Sequence, residues 1–141
     1  MGIFALMADH DFYLLSNRLG AYALLESNPT RGHPYGAYLA VACDAEQSSY
    51  VLWYSTLEKI KINQQWQPLA NFEKTLSQST PQQLQWQIQD GSSSVTLRQR
   101  VYLDRELNRC TVEYQNKGAQ PLSLQLHPYL CCRPVAAPAQ N

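Results

Sequence analysis

The chain has 141 residues, so we expect a single domain over residues 1–141, with a core that needs no disulfide or structural metal. Hydrophobic residues make up 45% and charged residues 16%, a composition that argues against disorder. The 11 basic residues balance the 11 acidic ones and are scattered, so neither a nucleic acid nor a membrane is an expected partner.

The first residues, "MGIFALMADHDF", combine an apolar patch with two aspartates. They have no basic flank and no small-residue cleavage site, so the pattern is not that of a signal peptide. No later apolar run reaches the length that spans a membrane. We therefore predict a soluble, cytoplasmic protein.

Four segments of the first half are rich in aromatic and branched residues, which predicts strands: "FYLLSN", "GAYLAVAC", "YVLWYST" and "LEKIKIN". In the last of them, Ile60 and Ile62 share a face with Glu58, whereas Lys59 and Lys61 point the other way. These lysines could form a binding strip or a solvated face. The solvated face is the favoured interpretation.

Residues 71–78, "NFEKTLSQ", have an ambiguous phase, and we interpret them as one helical turn. No other stretch shows a convincing helical period. The chain is therefore expected to consist almost entirely of strands.

The second half gives the clearest periodic signal. In "LQWQIQD", Leu84, Trp86 and Ile88 alternate with glutamines, as in a half-buried strand. "SVTLRQRVYLD", "RCTVEYQ" and "PLSLQLHPY" continue the alternation after turns. Residues in the apolar phase of these three segments are Val95, Leu97, Val101, Leu103, Cys110, Val112, Tyr114, Leu122, Leu124 and Leu126. We predict four consecutive strands in an antiparallel meander and, for the whole chain, eight or nine strands in an all-β sandwich or curved two-layer sheet.

The four cysteines match no zinc or redox spacing. Cys43 and Cys110 lie inside apolar runs, and Cys131 and Cys132 are adjacent. Buried free thiols are the favoured interpretation, and a vicinal redox pair formed by the last two is the alternative. We expect no metal site and no cofactor.

The histidines and acidic residues offer little catalytic chemistry. His10 and His127 are expected at solvent, and His33 lies in the turn-rich segment "NPTRGHPYG", which suits either a ligand-binding loop or a plain turn. Glycoside hydrolysis needs two carboxyl groups facing a cleft. Asp9 with Asp11 and Asp104 with Glu106 both look like solvated ends, so we predict no catalytic residue.

Aromatic side chains could supply flat faces on which sugars stack. At strand positions, however, each of them is more often part of the core. The candidates are Tyr13, Tyr22, Tyr35, Tyr38, Trp53, Tyr54, Trp66 and Trp86.

Several motifs, in order and spread over nearly the whole chain, point to one family. Residues 15–22, "LSNRLGAY", stand in place of a Leu-Thr-Asn-Gly-Leu-Gly-Gly-Tyr motif, with Arg18 and Ala21 replacing glycines. Residues 28–36, "NPTRGHPYG", correspond to an Asn-Thr-Arg-Arg-Tyr-His-Gly segment of the same pattern. Two later strands of the pattern correspond to "YSTLEKIKIN" and "LHPYLCCRP". The chain thereby resembles the N-terminal domain of bacterial and archaeal type glycogen debranching enzymes, the amylo-α-1,6-glucosidase family.

This resemblance implies an antiparallel β-sandwich, supersandwich-like, that precedes a catalytic helical barrel absent from this chain. It leaves open whether the sandwich is complete at "AAPAQN" and whether the chain is a fragment or a free-standing relative. The implied partners are an α-glucan, such as glycogen or a maltooligosaccharide, and the C-terminal catalytic domain of the same or another chain. The implied substrate or domain-interface residues are Asn17, Arg18, Tyr22, Thr30, Arg31, His33 and Tyr35.

Two other functions stay open. The chain could be a stand-alone carbohydrate-binding module that uses exposed aromatic residues. It could also be an assembly domain that forms homo-oligomers through open sheet edges.

Overall fold

A computed structural model describes residues 12–26, 36–43, 48–91 and 95–135. These residues form ten strands and one 3₁₀ turn, which spans Leu69–Asn71. The strands are β1 (Phe12–Ser16), β2 (Tyr22–Glu26), β3 (Ala37–Cys43), β4 (Ser48–Ile62), β5 (Gln65–Pro68), β6 (Glu73–Thr80), β7 (Gln83–Gln89), β8 (Thr96–Leu103), β9 (Cys110–Asn116) and β10 (Leu124–Pro134).

The strands form two antiparallel sheets, which confirms the predicted all-β sandwich. Sheet A has the order β1-β2-β3-β4-β10, and β5 also pairs with the end of β4. Sheet B has the order β6-β7-β8-β9. Among the described residues, no helix is long and apolar enough to cross a membrane.

Sheet B follows from the alternation of the sequence. Leu84, Trp86 and Ile88 are 1–2% exposed, whereas Gln87 on the opposite face of β7 is exposed. The same period in β8 buries Leu97 and every second residue up to Leu103. Because successive strand side chains point to opposite faces, this alternation turns one face of each strand toward sheet A.

Two core clusters hold the sheets together. The first lies between β1, β2, β7 and β8 and is centred on Trp86, whose ring packs edge-on against Tyr13 with 5.2 Å between centroids. The second joins Ile60 of β4 and Leu69 of the 3₁₀ turn to Ile88 of β7. Truncation of a fully buried tryptophan costs about 3–5 kcal/mol, so Trp86 anchors the sandwich.

The position of the last strand differs from the prediction. Strands β7, β8 and β9 form the predicted meander, but β10 leaves sheet B and pairs with β4, beginning at Leu124 opposite Ile60. The fourth strand of sheet B is instead β6. The 15 residues of β4 are enough to pair with the 11 residues of β10, with two register shifts along the ladder.

The predicted helical turn at residues 71–78 is wrong, since residues 73–80 form β6. Pairing with β7 supplies hydrogen-bond partners to this segment, and its threonines and serines favour a strand over a helix. The predicted segments "YVLWYST" and "LEKIKIN" form one strand, β4, whereas β2 and β5 are strands that were not predicted. The described residues therefore contain ten strands, and the predicted number of eight or nine is wrong. Asn63 and Gln64, both with positive φ, make the two-residue turn from β4 to β5.

Candidate functional site

A cavity of about 290 Å³ opens where sheet A is interrupted. Strand β3 pairs with β4 only as far as Trp53, and β5 pairs with β4 only from Lys59 onward. On the side of β4 that faces away from β10, residues 54–58 therefore have no partner strand among the described residues. Both Leu57 and Glu58, which are neighbours on β4, line the cavity. The cavity thus runs from the surface through the interruption into the space between the sheets.

The inner end of the cavity holds a polar cluster, which we call the Glu58 cluster. Glu58 on β4 accepts a hydrogen bond of 2.6 Å from Nε2 of Gln99 on β8. The same carboxylate oxygen accepts a short hydrogen bond from the hydroxyl of Tyr114 on β9. Gln99 Nε2 also lies 3.3 Å from the Tyr114 hydroxyl oxygen. Side chains from two strands, β8 and β9, therefore converge on a single carboxylate oxygen of a third strand, β4.

Lys74 of β6 completes the cluster. Its Nζ lies 4.7 Å from the centroid of the Trp86 ring, a cation–π distance. Burial lowers the pKa of Lys74, and the charge of Glu58 opposes this shift. Burial also raises the pKa of Glu58, opposed by the Tyr114 hydrogen bond, the charge of Lys74 and the Gln99 hydrogen bond. The two groups support each other's charge in a poorly solvated space.

Two further features make the cluster unusual for a core. Gln99 is only 1% exposed, and its buried Oε1 has no hydrogen-bond partner. Tyr38 of β3 also lines the cavity, and burial raises the pKa of its hydroxyl, as does the nearby Glu58. An unsatisfied buried acceptor costs about 1–3 kcal/mol, so this oxygen calls for an explanation beyond core packing.

The predicted site residue Asn17 braces one end of the sandwich. Its side-chain Nδ2 donates to the backbone oxygens of Asp104, at 3.1 Å, and Leu107, at 3.0 Å. Its Oδ1 accepts from the backbone N–H groups of Leu19, at 3.0 Å, and Ala21, at 2.9 Å. One side chain thus joins the β1–β2 turn to the β8–β9 turn, an arrangement that we call the Asn17 corner.

Ion pairs surround the Asn17 corner. Arg18, another predicted site residue, pairs with Glu106 at 3.1 Å, and both side chains are largely exposed. Asp104 pairs with Arg109 at 2.8 Å. The backbone N–H of Glu106, and next the Arg109 side chain, lower the pKa of Asp104. Asp104 therefore stabilises the β8–β9 turn, and Glu106 links this turn to Arg18 of the β1–β2 turn.

The remaining predicted site residues fall into two groups. Tyr22 packs on the other face of sheet A, against Ala40 and Val51. The structure does not bring it together with the Glu58 cluster. Four residues lie outside the described residues, namely Thr30, Arg31, His33 and Tyr35. A role at a substrate or domain interface stays a prediction for all seven residues.

The amino-acid sequence did not by itself indicate the Glu58 cluster as a site. The signal was present as polar residues in an apolar phase: Glu58 precedes Ile60 and Ile62, and Gln99 lies between Leu97 and Val101. A polar residue in the apolar phase of a strand is buried when the apolar residues on the same face are buried. Lys74 gave no such signal, because its strand was interpreted as a helical turn.

The described cysteines are unpaired. Cys110 is partly buried, and burial raises the pKa of its thiol to about 12. Cys131 is also partly buried, and its thiol donates to the backbone oxygen of Val51 at 3.3 Å, whereas Cys132 is exposed. The prediction that the cysteines are buried free thiols is therefore wrong for Cys132, which is exposed. The side chain of Cys43 lies outside the described residues.

Other predictions about side chains can also be compared with the structure. His127 is exposed, as predicted, and so is Lys61, whose Nζ lies 5.8 Å from the Trp66 ring centroid. Trp86 is a core residue, whereas Tyr54 and Trp66 are 40% and 44% exposed. Among the described residues, no group of three His, Cys, Asp or Glu side chains could hold a metal ion.

The two packed antiparallel sheets define a β-sandwich. Comparison with family profiles matches residues 13–141 to the family described as glycogen debranching enzyme N terminal. The match covers most of the chain, so the chain belongs to this family, and the resemblance found in its motifs is confirmed. No curated protein and no solved structure matches the chain.

Proposed function

We propose that the chain is the non-catalytic N-terminal domain of an amylo-α-1,6-glucosidase type debranching enzyme, which supports the catalytic domain during the breakdown of glycogen or another α-glucan. Membership of the family supports the enzyme class. A role in glycogen breakdown agrees with the cytoplasmic location that the N-terminal sequence predicts. The exposed edge strand β10 is the observation that carries the supporting role.

Strand β10 has the properties of a covered edge. It is the last strand of sheet A and, among the described residues, pairs only with β4. Its side chains Leu126, Tyr129 and Leu130 are 43%, 52% and 72% exposed. A long edge strand with large apolar side chains is an aggregation hazard unless another element covers it. We assign the catalytic domain as that element.

The proposal extends to the substrate cleft through residues 28–36. Arg31 and Tyr35 are the expected contacts, because an arginine fork can donate two hydrogen bonds to sugar hydroxyls or to a carboxylate of the neighbouring domain. Glu26, the nearest described residue before this segment, and Gly36, its last residue, both line the cavity. In the intact enzyme, Arg31→Ala is expected to raise KM for a branched glucan, and Arg31→Lys is expected to restore it only in part. An unchanged KM in both variants would remove this extension.

The supporting role can be tested by mixing the chain with the catalytic domain of a debranching enzyme. We expect a one-to-one complex in sedimentation and higher α-1,6-glucosidase activity than that of the catalytic domain alone. Leu130→Glu should weaken the complex at least about tenfold, since it places a charge in an apolar interface. Leu107→Glu is the matched control, because Leu107 is 50% exposed in the β8–β9 turn, away from β10.

Three outcomes would contradict the supporting role. The first is a homodimer that Leu130→Glu dissociates and that does not bind the catalytic domain, which would favour the assembly function. The second is equal weakening of the complex by both variants. The third is release of reducing sugar from an α-1,6-branched glucan by the purified chain itself.

A further inference from the structure

The cavity between the sheets has the form of a ligand site, which goes beyond the supporting role. Its volume of about 290 Å³ lies just below the usual range of ligand pockets, roughly 300–1,000 Å³, and suits a small ligand. Tyr54 and Tyr129, which are 40% and 52% exposed, line its outer part. Trp86 and the Glu58 cluster line its inner part. Apolar walls with a few convergent polar groups are typical of small-molecule sites.

The unused hydrogen-bond donors and acceptors in the inner part of the cavity indicate the chemistry of the ligand. Gln99 Oε1 is a buried acceptor without a partner. One oxygen of Glu58 receives the hydrogen bonds from Gln99 and Tyr114, and the carboxylate can accept more. Among the described residues, the Lys74 ammonium group donates to no oxygen atom, and its contact is with the Trp86 ring. Two acceptors and one donor around one space match a molecule with several hydroxyl groups.

The charges of the cavity select against ionic ligands. Glu58 and Lys74 are ionisable groups of opposite sign in the inner part, and the charge of each supports that of the other. An anionic ligand would therefore meet the Glu58 carboxylate, and a cationic ligand would meet the Lys74 ammonium group. A neutral hydroxyl group, by contrast, can donate to a carboxylate and accept from the ammonium group at the same time.

We propose that this cavity binds a neutral polyhydroxyl ligand of the size of one hexose ring, with Glu58, Lys74 and Gln99 contacting its hydroxyl groups. The ligand enters through the interruption of sheet A beside residues 54–58. Because the cavity is small, a longer glucan can place only its terminal ring inside. The site therefore recognises a free sugar or a chain end.

The test uses the indole N–H signals of the purified chain in NMR spectra. Trp86 lines the cavity, whereas the exposed Trp66 lies on β5 and serves as an internal control. Titration with glucose should move the Trp86 signal in a saturable way with a Kd of about 1–10 mM, and should leave Trp66 unchanged. Glucosamine and glucuronate carry a charge on the same ring, and each should bind at least about tenfold more weakly.

Paired variants separate ligand contact from folding. Lys74→Met keeps an aliphatic chain over Trp86 and removes the charged donor, so glucose binding should weaken about tenfold or more. Lys61→Met, at the surface lysine beside Trp66, is the matched control and should bind as the wild type does. If Lys74→Met fails to fold, Gln99→Leu with the exposed control Gln87→Leu provides the same comparison.

Several results would overturn the inference. One is the absence of a saturable Trp86 shift at the highest soluble glucose concentration, which would mean that the cavity holds water only. Another is equal binding by Lys74→Met and Lys61→Met. A third is binding of glucuronate as tight as that of glucose. Failure of the catalytic-domain test leaves this measurement intact, because the titration uses the chain alone.

Discussion

Replacement of Asn17 by alanine should loosen the connection between the β1–β2 and β8–β9 turns. The variant removes four hydrogen bonds of 2.9–3.1 Å. A typical hydrogen bond contributes about 0.5–1.5 kcal/mol net, and the partly exposed backbone groups regain water, so we expect a loss of about 2–3 kcal/mol. For a domain of this length, this loss corresponds to a fall in Tm of roughly 6–10 °C.

Urea unfolding followed by tryptophan fluorescence measures this loss, and the m-value should stay constant. Asn116→Ala is the matched control. The Asn116 side chain also makes two hydrogen bonds, to the backbone of Gln120 at 2.7 Å and from that of Gly118 at 2.9 Å, but both stay within one exposed turn. We expect at most about 1 kcal/mol from the control. Equal losses in the two variants would refute the bracing role of Asn17.

Three further predictions concern pH, backbone conformation and thiol reactivity. Burial raises the pKa of Glu58 above its ordinary value of 4.5, so its contribution to stability is complete below that pH and declines as the pH rises through the folded-state pKa. Glu58→Gln should remove this decline, which is at most about 1.4 kcal/mol per pH unit; parallel pH profiles of urea unfolding for both proteins would contradict it. Gly20→Ala should lower the free energy of unfolding by about 1–2 kcal/mol in the same assay, because Gly20 has φ +82° and an added carbon would lie 3.2 Å from a neighbouring side chain. Gly91→Ala is the control and should be neutral, because an added carbon there meets nothing within 4 Å. Iodoacetamide at a pH near 8 should modify Cys132 first and Cys110 last, because Cys132 is exposed and burial raises the pKa of Cys110 to about 12. Mass spectrometry measures the order of modification, and early modification of Cys110 in the folded protein would be inconsistent with it.

The sequence by itself determined the class of fold and the inner faces of the best-patterned strands. In β7 and β8, the alternation of large apolar and polar residues has one solution, because a shift by one residue would expose Trp86 and bury the glutamines. The same local pattern placed Glu58 on the inner face of β4. The motifs spread in order over nearly the whole chain indicated the family that the profile match then showed.

Tertiary structure decided which strands became neighbours and what the polar inner residues do. Alternation predicts which face of β10 is apolar, but it does not predict which strand edge pairs with β10, and in the structure that partner is β4. Residues 73–80 became a strand because the edge of β7 was available to pair with them. The Glu58 cluster combines side chains from β4, β6, β8 and β9, and both the interruption of sheet A and the facing of the two sheets create its cavity. Contacts between residues so distant in sequence depend on how the sheets pack, and no local period of side chains encodes that packing.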